Sequence, residues 1–112
     1  GNNANCTRNF TYIKMNSVFK SIDNETVELL TAIEPTEITR LTLANTETAD
    51  TQVLVNLYKN SKTGNRVRIT GYNAPIAGYE MLELTNIYLN AGQYLTLSAD
   101  GALDIDINYK PL

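Results

Sequence analysis

Residues 93–110 read QYLTLSADGALDIDINYK, and the parity of this stretch decides the fold. Leu95 and Leu97 alternate with Tyr94, Thr96 and Ser98. Beyond Asp100-Gly101, Leu103, Ile105 and Ile107 alternate with Asp104, Asp106 and Asn108. Such alternation is the period of a strand with one face buried. Asp-Gly suggests a two-residue hairpin turn. That turn would set Leu97 opposite Asp104 and Leu95 opposite Asp106, mixing leucines with carboxylates on one face, which a half-buried sheet does not tolerate. A loop of Ala99-Asp100-Gly101 instead pairs Leu97 with Leu103, Leu95 with Ile105 and Gln93 with Ile107. It also places Gly101 at the left-handed position that follows a type I turn. The stretch therefore predicts a three-residue hairpin with Tyr94 across from Asp106 and Thr96 across from Asp104, all on the water side.

Working outward, the same period recurs and helical spacing does not. Val27, Leu29 and Ile33 share a face of 26–33, after a turn at Asp23-Asn24-Glu25 and before Pro35. Leu41 and Leu43 oppose Thr42 within 37–45, and the polar TETAD (46–50) leads to a strand over 51–59. NSKTGN (60–65) is a turn, and Val67 and Ile69 alternate with Arg66 and Arg68. GYNAPIAG (71–78) reads as an irregular loop, and 79–85 as a strand with Leu82 and Leu84 inward. A short apolar step over 86–92 ends in a turn at Gly92. The pattern predicts an all-β fold: an antiparallel β-sandwich, jelly-roll or Ig-like, of about seven to nine short strands. One domain is expected over 10–112, preceded by a flexible polar arm over 1–9.

Composition excludes more chemistry than it proposes. The chain has 112 residues and a net charge of −3, with a pI near 4.8. It has nine Lys and Arg scattered among twelve acids, which gives no concentrated basic face for nucleic acid or an anionic membrane. There is no histidine, so no Ser-His-Asp or Cys-His pair and no imidazole metal site can be built. Cys6 is the single cysteine, which rules out an intrachain disulfide. No apolar run reaches the roughly 18 residues that a membrane-spanning helix needs.

Asp104 and Asp106, two apart on a strand, could give two oxygens to a calcium ion, but the six to eight such an ion takes are not in sight. As a glycosidase pair they would need a cleft that raises one pKa above the other. The expectation is a solvated outer row, with no catalytic residue, metal or cofactor. Two features remain as candidate protein contacts. One is the arm, with Asn2, Asn3 and Asn5. The other is the loop bearing Tyr72, Pro75, Ile76 and Tyr79, where exposed rings can anchor an interface or stack on a sugar.

The segments EITRLTLANTETADTQVLVNLYKN and APIAGYEMLELTNIYLNAGQYLTLSADGALDIDINYKP carry a resemblance. A strand ends in Leu43-Ala44-Asn45-Thr46, and a Val-rich strand follows from Val53 to Leu57. A Pro75-Ile76-x-x-Gly78 loop comes next, then a Leu89-x-Ala91-Gly92-x-x-Leu95 turn and a last alternating strand. Over roughly 27–110 this resembles small virion proteins of tailed bacteriophages. One departure is Gln93, where an acidic residue is common, and it should alter a surface hydrogen bond. The resemblance implies a non-enzymatic β-sandwich building block located in the virion: a capsid decoration or cement subunit. Its partners would be other virion proteins and copies of itself, with neither nucleic acid nor membrane involved. The alternative it implies is a neck or tail structural protein, or a glycan- or receptor-binding module of a tail fibre.

Overall fold

The computed structural model describes residues 16–59, 66–70 and 73–112. The arm with Asn2, Asn3 and Asn5, the domain's expected start at residue 10, and Tyr72 lie outside them. Nine strands occur among the described residues: β1 (Asn16–Asp23), β2 (Thr26–Thr31), β3 (Thr36–Asn45), β4 (Thr51–Tyr58), β5 (Arg66–Arg68), β6 (Ala74–Ile76), β7 (Met81–Leu89), β8 (Tyr94–Ala99) and β9 (Ala102–Pro111). All pairings are antiparallel. One sheet has the order β1-β9-β3-β7. In the other the order is β2-β8-β4, with β5 and β6 both pairing with β4.

β5 lies against Asn56–Tyr58, and β6 against Thr51–Val53. They are two pieces of one interrupted strand. Between them Thr70, whose hydroxyl accepts from the Val55 N–H at 3.1 Å, fills the gap in the ladder. Counted that way, eight strands pass back and forth between two sheets, and the first pairs with the last. That is a jelly roll rather than an Ig-like sandwich, in which the first and last strands lie on opposite sheets.

The core lies between the sheets. Leu41, Leu43, Val55, Leu95, Leu97 and Ile107 are fully buried, joined by Ile38, Val53, Leu103 and Ile105. Every one sits at an inward position of an alternating strand, so burial of apolar area, about 25 cal/mol per Å², holds the two sheets face to face.

The 93–110 stretch obeys the expected parity but not the expected pairing. β8 pairs with β2 and β4, whereas β9 pairs with β1 and β3. The chain therefore arches from one sheet to the other at Asp100-Gly101 and makes no hairpin. Leu95 and Leu97 meet Leu103 and Ile105 across the core instead of along a ladder. Gly101 is not left-handed; the described glycine with positive φ is Gly92, at 87°, in the predicted turn before β8. The glycine at 101 is required by space. A Cβ there would stand 2.5 Å from the Thr51 hydroxyl and 3.3 Å from the Glu47 carboxylate.

Other departures have local causes. Ile33, expected beside Val27 and Leu29, is 88% exposed, and Ala32 takes the inward place. The register between β2 and β8 shifts between Glu28 and Leu30, which resets the parity. β7 continues through the expected step at 86–89, with Asn86 at φ 58° interrupting the ladder opposite Thr39. The loop over 71–78 contains β6. Val67, expected to alternate cleanly with its arginines, is exposed because β5 is a three-residue edge piece.

Four connections gather at one end of the sandwich: 24–25, 46–50, 77–80 and 100–101. The Asn24 N–H donates to the Gly101 carbonyl, Thr46 to Ala102, Tyr79 to Glu47 and Asp100 to Gln52. The connections at 32–35 and 90–93 meet at the opposite end, where Ala32 donates to Gln93 and Gly92 to Ala32.

Candidate functional site

The end built from 46–50 and 77–80 is organised by Asn45, which is buried to 3% exposure at the last position of β3. Its Nδ2 donates to the carbonyls of Ala49 at 2.7 Å and Ile76 at 3.0 Å, with a longer approach to Ala77 at 3.3 Å. Its Oδ1 accepts from the Glu47 N–H at 3.0 Å. Both ends of this amide are thus satisfied, as a buried polar group requires. The Asn45-Thr46 step and the Pro75–Gly78 loop, read as separate motifs, are one hydrogen-bonded unit.

That unit presents Tyr79. The turn over 77–80 closes with Glu80 N–H donating to the Ala77 carbonyl at 3.0 Å, and Tyr79 N–H donates to Glu47 at 3.0 Å. Tyr79 occupies the third turn position with φ 59°, where glycine or asparagine is usual. Its side chain is 70% exposed. Gly78 lies so close to the 46–50 connection that a Cβ would sit 2.0 Å from the Thr48 carbonyl oxygen. Met81, two residues on, is 65% exposed. An aromatic ring therefore projects from a hydrogen-bonded turn that pays conformational strain to hold it, and an exposed thioether follows at the start of β7.

Of the other residues expected in this loop, Pro75 is exposed, whereas the Ile76 side chain is committed to the core at 3% exposure. Only the Ile76 backbone carbonyl serves the site, through Asn45.

The carboxylate row lies on the outside of the β1-β9-β3-β7 sheet. Its neighbours differ from the expected Thr96 and Tyr94, because β8 belongs to the other sheet. Asp104 stands between Ser21 and Ala44, and Asp106 between Phe19 and Thr42. The Ser21 hydroxyl donates to Asp104 Oδ1 at 2.7 Å, and that of Ser17 to Asn108 Oδ1 at 2.7 Å. Lys110 pairs with Glu37 at 3.7 Å, and Arg40 with Glu83 at 3.9 Å. These contacts make a cross-strand polar ladder of the kind that covers an outer sheet face. No group of three metal-ligating side chains occurs among the described residues.

Tyr94, expected on the water side, is instead buried in a cluster that the sequence does not announce. On the outside of the second sheet, Tyr58 of β4 and Tyr94 of β8 are cross-strand partners. Their rings stack with centroids 5.0 Å apart and planes 9° from parallel. Beside them lies a cavity of about 250 Å³ bounded by Thr26, Val27 and Glu28 of β2, Thr96 of β8, and the two rings. Tyr94 is 6% exposed, and its hydroxyl has no hydrogen-bond partner among the described residues; the same holds for Asn56 Oδ1, on the neighbouring rung. Burial raises the Tyr94 phenol above the ordinary tyrosine value, and Tyr58 and Glu28 add to the rise. Glu28 Oε2 accepts from the Thr31 hydroxyl at 3.0 Å. The available signal was parity: Tyr58 and Tyr94 both fall at outward positions. Their sheet partnership was the missing fact.

No protein-family model matches the chain, and neither does any curated protein. Among solved structures, a chain in the structure of infectious bursal disease virus Gx strain superposes with a TM-score of 0.50 at 9% sequence identity. The match covers 86% of this chain and 33% of that one, so the present chain spans about a third of its length. A second likeness is to the crystal structure of PirA, with a TM-score of 0.47 and 14% identity, covering 84% of this chain and 91% of that one. At 9% identity the first of these likenesses shows a shared fold alone.

Proposed function

We propose that this chain is a non-enzymatic structural protein of a virus particle, and within that class a bacteriophage capsid decoration or cement subunit. It acts by surface complementarity. The observation that carries the reading is Tyr79, an exposed ring held at positive φ by a buried hydrogen-bonded hub, with the exposed Met81 two residues on. Strain kept at an exposed aromatic points to a contact surface, because a glycine there would make the turn without steric strain. Tyrosines are favoured interface anchors, giving a large rigid contact at small entropic cost. The likeness to a chain from a virus structure supports the reading at the level of architecture. The phage assignment rests on the sequence resemblance, and self-association around a symmetry axis of the particle belongs to the same proposal.

The test is occupancy. Particles of the parent phage assembled without this chain are incubated with the recombinant protein, wild type or Tyr79→Ser, and bound copies are counted by cryo-electron microscopy. The expected result is saturable binding by the wild type and a loss of roughly tenfold or more in affinity for the variant. Equal occupancy by both proteins, or none by the wild type, overturns the reading.

A further inference from the structure

We propose that the open edge of β7, from Met81 to Thr85, takes an extended strand of a different protein chain and adds it to the β1-β9-β3-β7 sheet. This goes beyond docking by Tyr79 and stands without it, because its contacts are the backbone groups of β7 rather than an exposed ring.

The two sheets have four edges: β1 and β7 on one, β2 and the β5–β6 pieces on the other. An exposed edge is a template for a further strand, and native proteins blunt such edges. Three of these four are blunted. β1 carries Lys20 at an inward position, opposite the buried Ile105, and its Nζ donates to the Glu28 carbonyl on β2 at 3.4 Å. β2 is bulged between Glu28 and Leu30. β5 and β6 have three residues each, the first with Arg66 and Arg68 and the second with Pro75. β7 has nine residues, no proline and no charge at an inward position.

The register shows which backbone groups of β7 are open. In an antiparallel pair, bonded rungs alternate with unbonded ones. The Asn45 N–H donates to the Glu80 carbonyl at 2.9 Å, so the bonded rungs continue through Leu43–Leu82 and Leu41–Leu84. Met81, Glu83 and Thr85 therefore turn their N–H and C=O groups away from β3, to a side where no described strand pairs with them. The turn over 77–80 bounds this stretch at one end, and Asn86, at φ 58°, bounds it at the other. Leu82 and Leu84 face the core yet stay half-buried along the open flank. An added strand with apolar residues at alternate positions completes the ladder and covers both leucines.

Charge decides against a second copy of β7. Two such edges meeting about a dyad use all three open rungs only when centred on Glu83, which sets carboxylate against carboxylate. Centring on Leu82 or Leu84 keeps two rungs and draws the 77–80 turn or Asn86 into the pairing. A foreign strand with lysine or arginine at the Glu83 rung meets no such repulsion. Glu83 already stands 3.9 Å from Arg40, but both side chains are about half exposed, and a surface pair of that length is worth little. The ladder supplies the binding, and the charge only ranks the strands that compete for it.

The experiment titrates the full chain with the capped nonapeptide Thr-Val-Thr-Val-Lys-Val-Thr-Val-Thr, followed by ¹H–¹⁵N spectra and amide hydrogen exchange. The expected result is millimolar binding. At about ten times Kd, exchange at Met81, Glu83 and Thr85 should slow about tenfold, as the free fraction falls. Leu82 and Leu84, already bonded to β3, should change little. Glutamate at the peptide's centre should weaken binding about threefold. Proline at its third and seventh positions, which removes two ladder donors, should abolish it. Glu83→Lys, at an exposed position, should reverse the order of the lysine and glutamate peptides. Thr85→Pro removes one outward N–H without touching the bonds to β3 and should weaken binding by about fivefold. Dispersion of the spectra reports that each variant is folded. The proposal is overturned if the lysine peptide protects none of the three amides, if protection maps to another strand, or if Glu83→Lys leaves the order of peptides unchanged. Protection of those amides that rises with protein concentration in the absence of peptide overturns it as well, since the edge would then take a second copy. Tyr79→Ser should bind the peptide as the wild type does, so failure of the docking reading and failure of this one give different results.

Discussion

Asn45 Nδ2 donates to the Ile76 carbonyl at 3.0 Å, tying the end of β3 to the end of β6 across the two sheets of the sandwich. The same amide reaches Ala49 and Glu47, so one buried side chain fixes two connections at once. Asn45→Ala leaves the Ile76 carbonyl without that partner in a buried place, and the Ala49 carbonyl and Glu47 N–H in part-buried ones. The expected cost is about 2–3 kcal/mol, the penalty for buried polar groups left unpaired. A urea titration measures it. Asn45→Asp should be no better, since a carboxylate cannot donate to those carbonyls. A cost below about 0.5 kcal/mol for either variant would mean the hub is dispensable.

Tyr79 offers a test that separates stability from function. Its φ of 59° is costly for a residue with a Cβ. Tyr79→Gly should therefore stabilise the isolated domain by up to about 1 kcal/mol while weakening attachment to particles. Thermal denaturation and particle binding should move in opposite directions. A variant losing both would show the ring to be structural.

The reading from sequence succeeded where information lies in one strand and failed where it lies between strands. Alternation says which side chains share a face. It thus placed Leu95, Leu97, Leu103, Ile105 and Ile107 inside and Asp104 outside, as observed. It says nothing about which strand supplies the hydrogen bonds. A hairpin and an arch between facing sheets satisfy the same parity, so the 93–110 stretch fitted both. Bulges break the rule locally, as at Glu28–Leu30, where Ile33 is turned outward. The Tyr58–Tyr94 pair is a partnership of strands from different connections, and no local pattern announces it. Asn45 and Pro75–Gly78 were visible as motifs, but their joining was not, because it runs through backbone carbonyls.

Gly101 distinguishes the arch from the hairpin by mutation. In a hairpin with Gly101 in the left-handed region, asparagine would be the mildest replacement, since it tolerates positive φ. In the arch, the constraint is the approach of Thr51 Oγ1 to within 2.5 Å of a Cβ. Thr51 is buried, so it has little freedom to withdraw. Gly101→Ala should cost about 1–3 kcal/mol by overpacking, and Gly101→Asn more. Thr51→Ala should recover part of the loss in a double-mutant cycle, a coupling that a hairpin would not show. Denaturant midpoints of the wild type, the three single variants and the double variant settle the matter.

Burial, with Tyr58 and Glu28 adding, raises the Tyr94 phenol above the ordinary value of 10.0. The folded state therefore holds this proton at a pH where the unfolded chain has released it. With fewer protons bound in the unfolded state, stability falls as pH rises. Below 10.0 both states are protonated, and the contribution of Tyr94 to stability is fully present and independent of pH. From 10.0 upward it is lost, until the folded phenol itself ionises. Comparing wild type with Tyr94→Phe isolates the effect from other groups that titrate there. The stability difference between the two should be level through neutral pH and then shift in favour of the phenylalanine variant above 10.0. At neutral pH the variant should be no less stable than the wild type, because it removes a buried hydroxyl that has no protein partner among the described residues. Guanidinium unfolding across that pH range, with tyrosinate absorbance as a second readout, tests both statements. A difference that stays level above 10.0 would place the Tyr94 hydroxyl in contact with water.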